Sequence, residues 1–321
     1  MGEARIVSFI NYKGGVGKTT TTYHIGCSLA EHHGHRVLLV DIDPQSNLSL
    51  LCMSYDRYNQ FRTQQGTIRD LYRRFRQESR LGTRDFIVRE PIQLNNGPLR
   101  NLDLLPCDLD MLGEDIGGIL PTVSAARTGN AFQVLEQVAE RVLREWDFLR
   151  LALDEVRSEY DDILIDCPPN LYLMTQNALA ASDWYVITVV PEHLSSVGVP
   201  ILIRKIRDIR ERIRRVAAIL GREVSFARFA GIIAVKMRRA GQHQDVLNRL
   251  REDLSSYIGE GSLADPVFAT ATTELIGYSE AAEQNLPVWH ARGNNPAMAA
   301  ERREYEAITE EYLRRCHSGE L

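Results

Sequence analysis

The chain has 321 residues, 44% of them hydrophobic and 25% charged, and a formal net charge of −5. This balance excludes the disordered, collagenous and coiled-coil classes and leaves enough chain for a sizeable core without covalent staples. The acidic total means that any nucleic-acid contact must come from a local basic patch.

The opening Met1-Gly2-Glu3-Ala4-Arg5-Ile6-Val7 lacks a signal-peptide layout, and Ile6 stands where a myristoylation signal wants Ser or Thr. No run of 18 uncharged apolar residues occurs. The five scattered cysteines (Cys27, Cys52, Cys107, Cys167 and Cys316) form no C-x-x-C pair and have no histidine-rich cluster beside them. They read as reduced thiols rather than a disulfide frame or a zinc site. A soluble, cytoplasmic protein is expected.

Short β-branched runs alternate with longer helical patterns along the chain. Strands are expected at 6–10, 36–40, 102–106, 163–166, 184–190 and 231–235. Helices are expected from the glycine loop to about Glu31, from about Asn130 to Glu159, and from about Pro200 to Leu220. Near-continuous apolar strands separated by helices predict an α/β fold, a doubly wound and mostly parallel sheet with helices on both faces. Residues 54–100, rich in arginine and turns, and 108–150, opening with Gly113, Gly117, Gly118 and Pro121, read as elaborations of a single domain spanning 1–321. Ligands of such sheets bind at the carboxyl ends of the strands. Here those ends carry Asn11-Tyr12-Lys13, Asp41-Ile42-Asp43-Pro44, Asp166-Cys167-Pro168-Pro169 and Pro191-Glu192.

Lys13-Gly14-Gly15-Val16-Gly17-Lys18-Thr19-Thr20 follows the first strand and opens a helix. Glycines allow successive backbone N–H groups to turn inward around phosphate oxygens, and the helix N-terminus adds partial positive charge. Lys18 is placed for the β- and γ-phosphates and the Thr19 hydroxyl for Mg²⁺. The ordinary phosphate loop wants Gly five positions before Gly17, where this chain has Tyr12. The variant K-G-G-x-G-K-[ST] fits fully, and its chance occurrence in this length is below about one in ten thousand.

Asn11 to Thr20 resembles the deviant Walker A motif of the ParA/MinD ATPases. Asp41-Ile42-Asp43-Pro44-Gln45-Ser46-Asn47 resembles their D-x-D-P-Q-x-N switch, and Ile163 to Pro169 their Walker B and second switch segment. Ala178 to Asp183, Pro191-Glu192, Pro266-Val267-Phe268 and Ser279-Glu280-Ala281 also fit, closest to the ParA/Soj partition branch. The resemblance implies a P-loop NTPase that binds ATP and Mg²⁺, forms an ATP-sandwiched homodimer and hydrolyses ATP slowly. Lys13 is then the signature lysine reaching the partner's phosphates, Asp43 orients the attacking water, Asp166 holds the Mg²⁺ shell, and Asp41 supports that network. Thr19, Asp43 and Asp166 form the implied metal set. Pro191 and the Lys236-Met237 region fall where relatives form the adenine pocket, with Pro191 and Met237 the implied contacts. Cys167 reads as a small buried filler.

On the helix from Pro200, the apolar Leu202, Ile206, Ile209, Ile213, Val216 and Leu220 share an arc of roughly 80°. Arg204, Lys205, Arg207, Arg210, Arg212, Arg214 and Arg215 occupy the rest, with only Asp208 and Glu211 opposing them. Arg204, Arg207, Arg210 and Arg214 are therefore the candidate DNA-contacting set. A second arginine-rich stretch (Arg62, Arg69, Arg73, Arg74, Arg76, Arg80, Arg84) reads as another DNA face or a partner surface. Thr270 to Leu275 lacks the arginine that relatives carry there, so other arginines would have to supply the charge. The mixed-sign C-terminal helix argues against the membrane attachment of MinD relatives. The expected function is ATP-dependent dimerisation and non-specific DNA binding, with hydrolysis stimulated by a ParB-like or other adaptor protein, in plasmid or chromosome partition on the nucleoid. The alternatives are the same switch positioning another cargo, MinD-like or organelle-like, and a metabolic or maturation ATPase of the same superfamily.

Overall fold

The computed structural model describes residues 2–77, 81–109, 131–238, 242–255, 265–274, 277–291 and 297–318. Met1, Arg80, Gly113, Gly117, Gly118, Pro121, Asn130 and Leu275, used in the sequence reading, lie outside the described residues.

In chain order the strands are β1 (Arg5–Ile10), β2 (Val37–Asp41), β3 (Val88–Arg89), β4 (Gln93–Leu94), β5 (Gly97–Pro98), β6 (Leu102–Leu105), β7 (Asp162–Asp166), β8 (Trp184–Val189) and β9 (Arg228–Ala234). The helices are α1 (Lys18–His32), α2 (Asn47–Cys52), α3 (Tyr55–Gln64), α4 (Ile68–Gln77), α5 (Ala131–Trp146), α6 (Phe148–Asp154), α7 (Leu173–Ala181), α8 (His193–Ile219), α9 (Gln242–Ser255), α10 (Gly277–Glu283) and α11 (Ala297–Leu313). Seven strands form one sheet in the order β3-β6-β2-β7-β1-β8-β9. All pairs are parallel except β3 with β6, and β4 with β5 form a separate antiparallel hairpin.

The six strands expected from the sequence are all present, because each buries both faces. Ile6 and Ile10, Leu38 and Val40, and Ile163 and Ile165 enter one core cluster. Their neighbours Val7 and Phe9, Val37 and Leu39, and Leu164 enter the other. Such period-two alternation, apolar on both sides, is what a sheet covered by helices on each face requires. α4 brings Ile68, Leu71, Tyr72 and Phe75 to the first cluster, and α6 brings Phe148 and Leu149.

Two helices differ from expectation. The pattern over 130–159 is broken into α5 and α6 at Asp147 because a side chain enters the ladder. The Asn177 amide donates to the Glu145 carbonyl (2.9 Å) and accepts from the Leu149 N–H (3.1 Å), taking over the helical bond those two groups would share. α8 begins at His193, seven residues before Pro200. An internal proline costs about 3 kcal/mol, but Ser195, Ser196, Val199, Leu202 and Ile203 are buried on both sides of it. Packing overrides the local cost.

Candidate nucleotide and metal site

The loop between β1 and α1 is held at both margins. The Asn11 side chain donates to the Thr188 carbonyl of β8 (2.6 Å) and accepts from the Lys13 N–H (3.0 Å). Gly15 and Gly17 both have φ of +73°, a left-handed conformation that favours glycine. A Cβ on Gly17 would also lie 3.2 Å from Val235 Cγ2. Two cavities flank the loop. One, of about 510 Å³, is lined by Gly14 to Thr20 together with Asp43, Gln45, Pro169 and Lys236. The other, of about 670 Å³, is lined by Lys13 to Val16, Pro191, Glu192, His193, Lys236 and Arg238, among others.

At the floor of the loop the Thr19 hydroxyl donates to Asp166 Oδ2 at 2.6 Å. The other oxygen of that carboxylate, Oδ1, is buried and has no hydrogen-bond partner. Burial, reinforced by the nearby Asp41 charge, pushes the Asp166 carboxyl well above the usual carboxylate range, with Thr19 and Lys18 opposing. Asp41 is pushed up to about 7 by burial, even though it accepts from the Ser49 hydroxyl and from the N–H groups of Ser49 and Asp43. Those bonds fix the switch backbone, and the buried Asp43 accepts from the Gln45 N–H at 3.0 Å. Three carboxylates thus share a buried centre with Lys18, itself only 6% exposed. A hydroxyl beside an unpartnered carboxylate oxygen, in a field short of positive charge, is a donor set suited to Mg²⁺.

Lys18 Nζ points along the loop to the Lys13 carbonyl (3.5 Å). Lys13 itself turns to its own chain, where its ammonium meets Glu192 Oε2 at 2.6 Å with both side chains about half exposed. Pro191 lines the larger cavity. Met237 does not: it packs partly buried against the core while its neighbours Lys236 and Arg238 face the cavity. The reason is local. Lys236 has φ +54°, which turns its side chain onto the loop, where Nζ donates to the Gly15 carbonyl at 3.0 Å. The sequence reading placed the Lys236-Met237 region beside the base; the contact of Lys236 with the glycine loop depends on the backbone turn after β9 and is not legible in the sequence.

The basic regions separate clearly. On α8, Arg204, Lys205, Arg207, Arg212, Arg214 and Arg215 are exposed, whereas Arg210 is half-buried. Its Nε is buried without a partner, and burial lowers its pKa. The second arginine stretch is different. Arg62 pairs with Asp108, Arg73 with Asp70, Arg74 with Asp85 and Arg84 with Glu159, and Arg69 and Arg76 sit 4.0 Å from Asp108 and Glu145. These ion pairs partly offset the charge of the stretch, as Glu211 does for Arg214 on α8, while Arg73, Arg76 and Arg84 stay exposed. Thr272 and Thr273 of the arginine-free segment are equally committed, to the Ala234 carbonyl and to Glu304. All five cysteines are free and buried, and burial raises the Cys167 thiol well above its usual range. α11 buries Tyr305, Ile308 and Tyr312 in the core. Among the described residues no helix is long and apolar enough to cross a membrane.

A doubly wound sheet whose first strand ends in a glycine loop, with a Thr–Asp pair beneath it, defines a P-loop nucleotide-binding protein. The family model described as AAA domain matches residues 4–219. The chain is 33% identical over 209 residues to the sporulation initiation inhibitor protein Soj of Bacillus subtilis, covering 65% of this chain and 67% of that one. It is 27% identical over 309 residues to the chromosome-partitioning ATPase Soj of Treponema pallidum, covering 96% of each. Its fold is similar to that of McdA from Cyanothece in an ATP complex, with a TM-score of 0.66, 15% identity and 97% of both chains covered. The chain belongs to the AAA domain family and, within it, to the ParA/Soj-type ATPases.

Proposed function

We propose that this protein is an ATP-driven partition switch, one domain from end to end, that dimerises around Mg-ATP, binds DNA without sequence preference and resets by hydrolysis. The observation that carries the reading is the junction of Thr19 with the buried Asp166, whose second oxygen is unpartnered, beneath a cavity that Thr19 lines with Lys18 and Asp43. Thr19 and Asp166 would hold Mg²⁺, Asp166 through water, and the ion would supply charge neutralisation at the phosphates. Lys18 and the N–H groups of Gly14 to Thr20 bind the phosphate oxygens. Asp43 accepts a hydrogen bond from the water that attacks the γ-phosphate. The larger cavity, with Pro191, takes the base and sugar.

Lys13 acts across the dimer, adding a second positive charge where negative charge spreads in the transition state. Its contact with Glu192 must open first. An ion pair this exposed is worth about 0.2–1 kcal/mol, so the latch is easily released. Self-association is supported by apolar side chains left in solvent at the same end of the sheet: Tyr12, Tyr172 (77% exposed) and, on α8, Leu194 (71%), Val197 and Ile201. The three on α8 fall at i, i+3 and i+7, which is one stripe. Contacts to the γ-phosphate exist only before hydrolysis, so they can stabilise one dimeric arrangement and release it afterwards.

The exposed basic face of α8 supplies the phosphate contacts, led by Arg204, Arg207 and Arg214. A ParB-like adaptor would stimulate hydrolysis, and the protein would work in the cytoplasm on the nucleoid. The test is DNA retention with ATP, ADP or no nucleotide across a salt series. Retention with ATP alone, falling steeply with salt, is expected. Replacing Arg204, Arg207 and Arg214 by Glu should abolish it. Equal retention in all three nucleotide states would refute the switch.

A further inference from the structure

The opposite edge of the sheet, where the strands begin, carries a second cluster that the nucleotide site does not use. Asp162 opens β7, and its side chain is fully buried. His35, just before β2, places Nδ1 2.6 Å from Asp162 Oδ2. His317, in the turn after α11, places Nε2 2.8 Å from Asp162 Oδ1, and the Tyr312 hydroxyl donates to the same oxygen at 2.7 Å. The three ligand atoms lie within 4.8 Å of one another, and each imidazole is about a quarter exposed, so the cluster opens to solvent on one side.

We propose that His35, Asp162 and His317 bind one divalent d-block cation of the Zn²⁺ class. Two imidazole nitrogens and one carboxylate oxygen are a ligand set for such ions, with solvent completing the shell. Mg²⁺ and Ca²⁺ prefer all-oxygen shells, so this site and the phosphate loop select different metals. A Zn²⁺ ion needs ligand atoms about 2.0–2.2 Å from itself. The donors already converge, and small rotations of the two exposed rings would open the space between them. Each ring now faces the carboxylate through a nitrogen that must carry a proton to donate. On binding, the ion takes the place of that proton, which passes to solvent from an imidazolium ring or moves to the other ring nitrogen of a neutral one, so each ring binds as neutral imidazole.

The ligands come from segments far apart in sequence. Asp162 lies 127 residues from His35 and 155 from His317. The backbone around His35 is fixed: its N–H donates to the Leu29 carbonyl of α1, and the Asp161 N–H donates to the Arg36 carbonyl. The ion would therefore clasp the C-terminal turn to the α1–β2 connection and the start of β7. The run His32-His33-Gly34-His35 is no signature by itself, because Asp162 and His317 lie far along the chain.

The test uses the full chain, stripped with a chelator and titrated with Zn²⁺ by calorimetry near neutral pH without nucleotide or Mg²⁺. Binding of one equivalent at about micromolar affinity or tighter is expected, with a thermal midpoint raised by Zn²⁺ and not by Mg²⁺. His35→Gln and His317→Gln should each weaken binding by about tenfold or more. Because either variant could disturb the C-terminal turn, zinc X-ray absorption on the unmodified chain gives an independent reading: two imidazoles and no sulfur in the first shell. Sulfur ligation, unchanged affinity in both variants, or no binding by the unmodified chain would each overturn the proposal.

Discussion

β7 carries a buried aspartate at each end, and the fold treats the two in opposite ways. At Asp162 both oxygens are taken, by His35 on one side and by His317 and Tyr312 on the other. At Asp166 one oxygen meets Thr19 and the other has nothing. Burial acts to raise both carboxyls. At Asp162 the hydrogen bonds from His317, His35 and Tyr312 outweigh it and the pKa is lowered, whereas at Asp166 the neighbouring Asp41 adds to it. The same residue type, four positions apart on one strand, serves cohesion at one edge and is held in an unfavourable state at the other. A buried carboxylate short of partners beside a phosphate loop is strain that a cation relieves.

The contrast can be broken most forcefully at Asp166. Asp166→Asn removes the metal-holding charge and should lower ATP turnover by about 10³-fold, equivalent to about 4 kcal/mol. The stability of the nucleotide-free protein should hold or rise, because a neutral isostere carries no burial penalty. Phosphate release and urea unfolding check the two halves. Asp162→Asn should do the reverse to stability, since it removes the charge and sets an amide donor in place of one of the two accepting oxygens. A loss of about 3 kcal/mol is expected by equilibrium unfolding.

His24 on α1 sharpens the comparison, because it is buried with both nitrogens engaged yet has no charge partner. Nδ1 donates to the Thr20 carbonyl and Nε2 accepts from the Val288 N–H. Burial, only partly offset by the Thr20 contact, lowers its pKa to about 4. The unfolded chain takes up that proton near pH 6.5 and the folded one does not until about 4. Its stabilising contribution is therefore full above about 6.5 and lost as pH falls through that window, by at most about 3 kcal/mol. His24→Gln should flatten this part of the pH–stability profile. The smallest effect belongs to Glu192→Gln, which frees Lys13. Stability should change by less than about 1 kcal/mol, while ATP-dependent association, followed by light scattering, should become faster.

The legible parts of the molecule were those written in consecutive residues. Six parallel strands followed from near-continuous apolar runs, and the phosphate loop from one unbroken string. β3 was missed because Val88–Arg89 is two residues long, its Arg89 tied to Asp103 and Tyr160 from distant segments. The break at Asp147 depends on Asn177, thirty residues away. At Lys236-Met237 the sequence does not show which side chain faces the loop, because the left-handed Lys236 turns its own side chain there while Met237 packs against the core. The ion pairs of the second arginine stretch were only partly legible, because Asp70 and Asp85 lie beside it in sequence but Asp108, Glu145 and Glu159 do not. The His35–Asp162–His317 cluster has no signature in sequence for the same reason.

The central claim, that triphosphate drives two copies together, is tested most directly by the solution mass of Asp43→Ala with Mg-ATP, measured by multi-angle light scattering. Without a carboxylate to orient the water, the ATP state should persist and the mass should be twice the 36.4 kDa of the chain, reverting to one copy with ADP. A single-copy mass with ATP demonstrably bound would contradict the account.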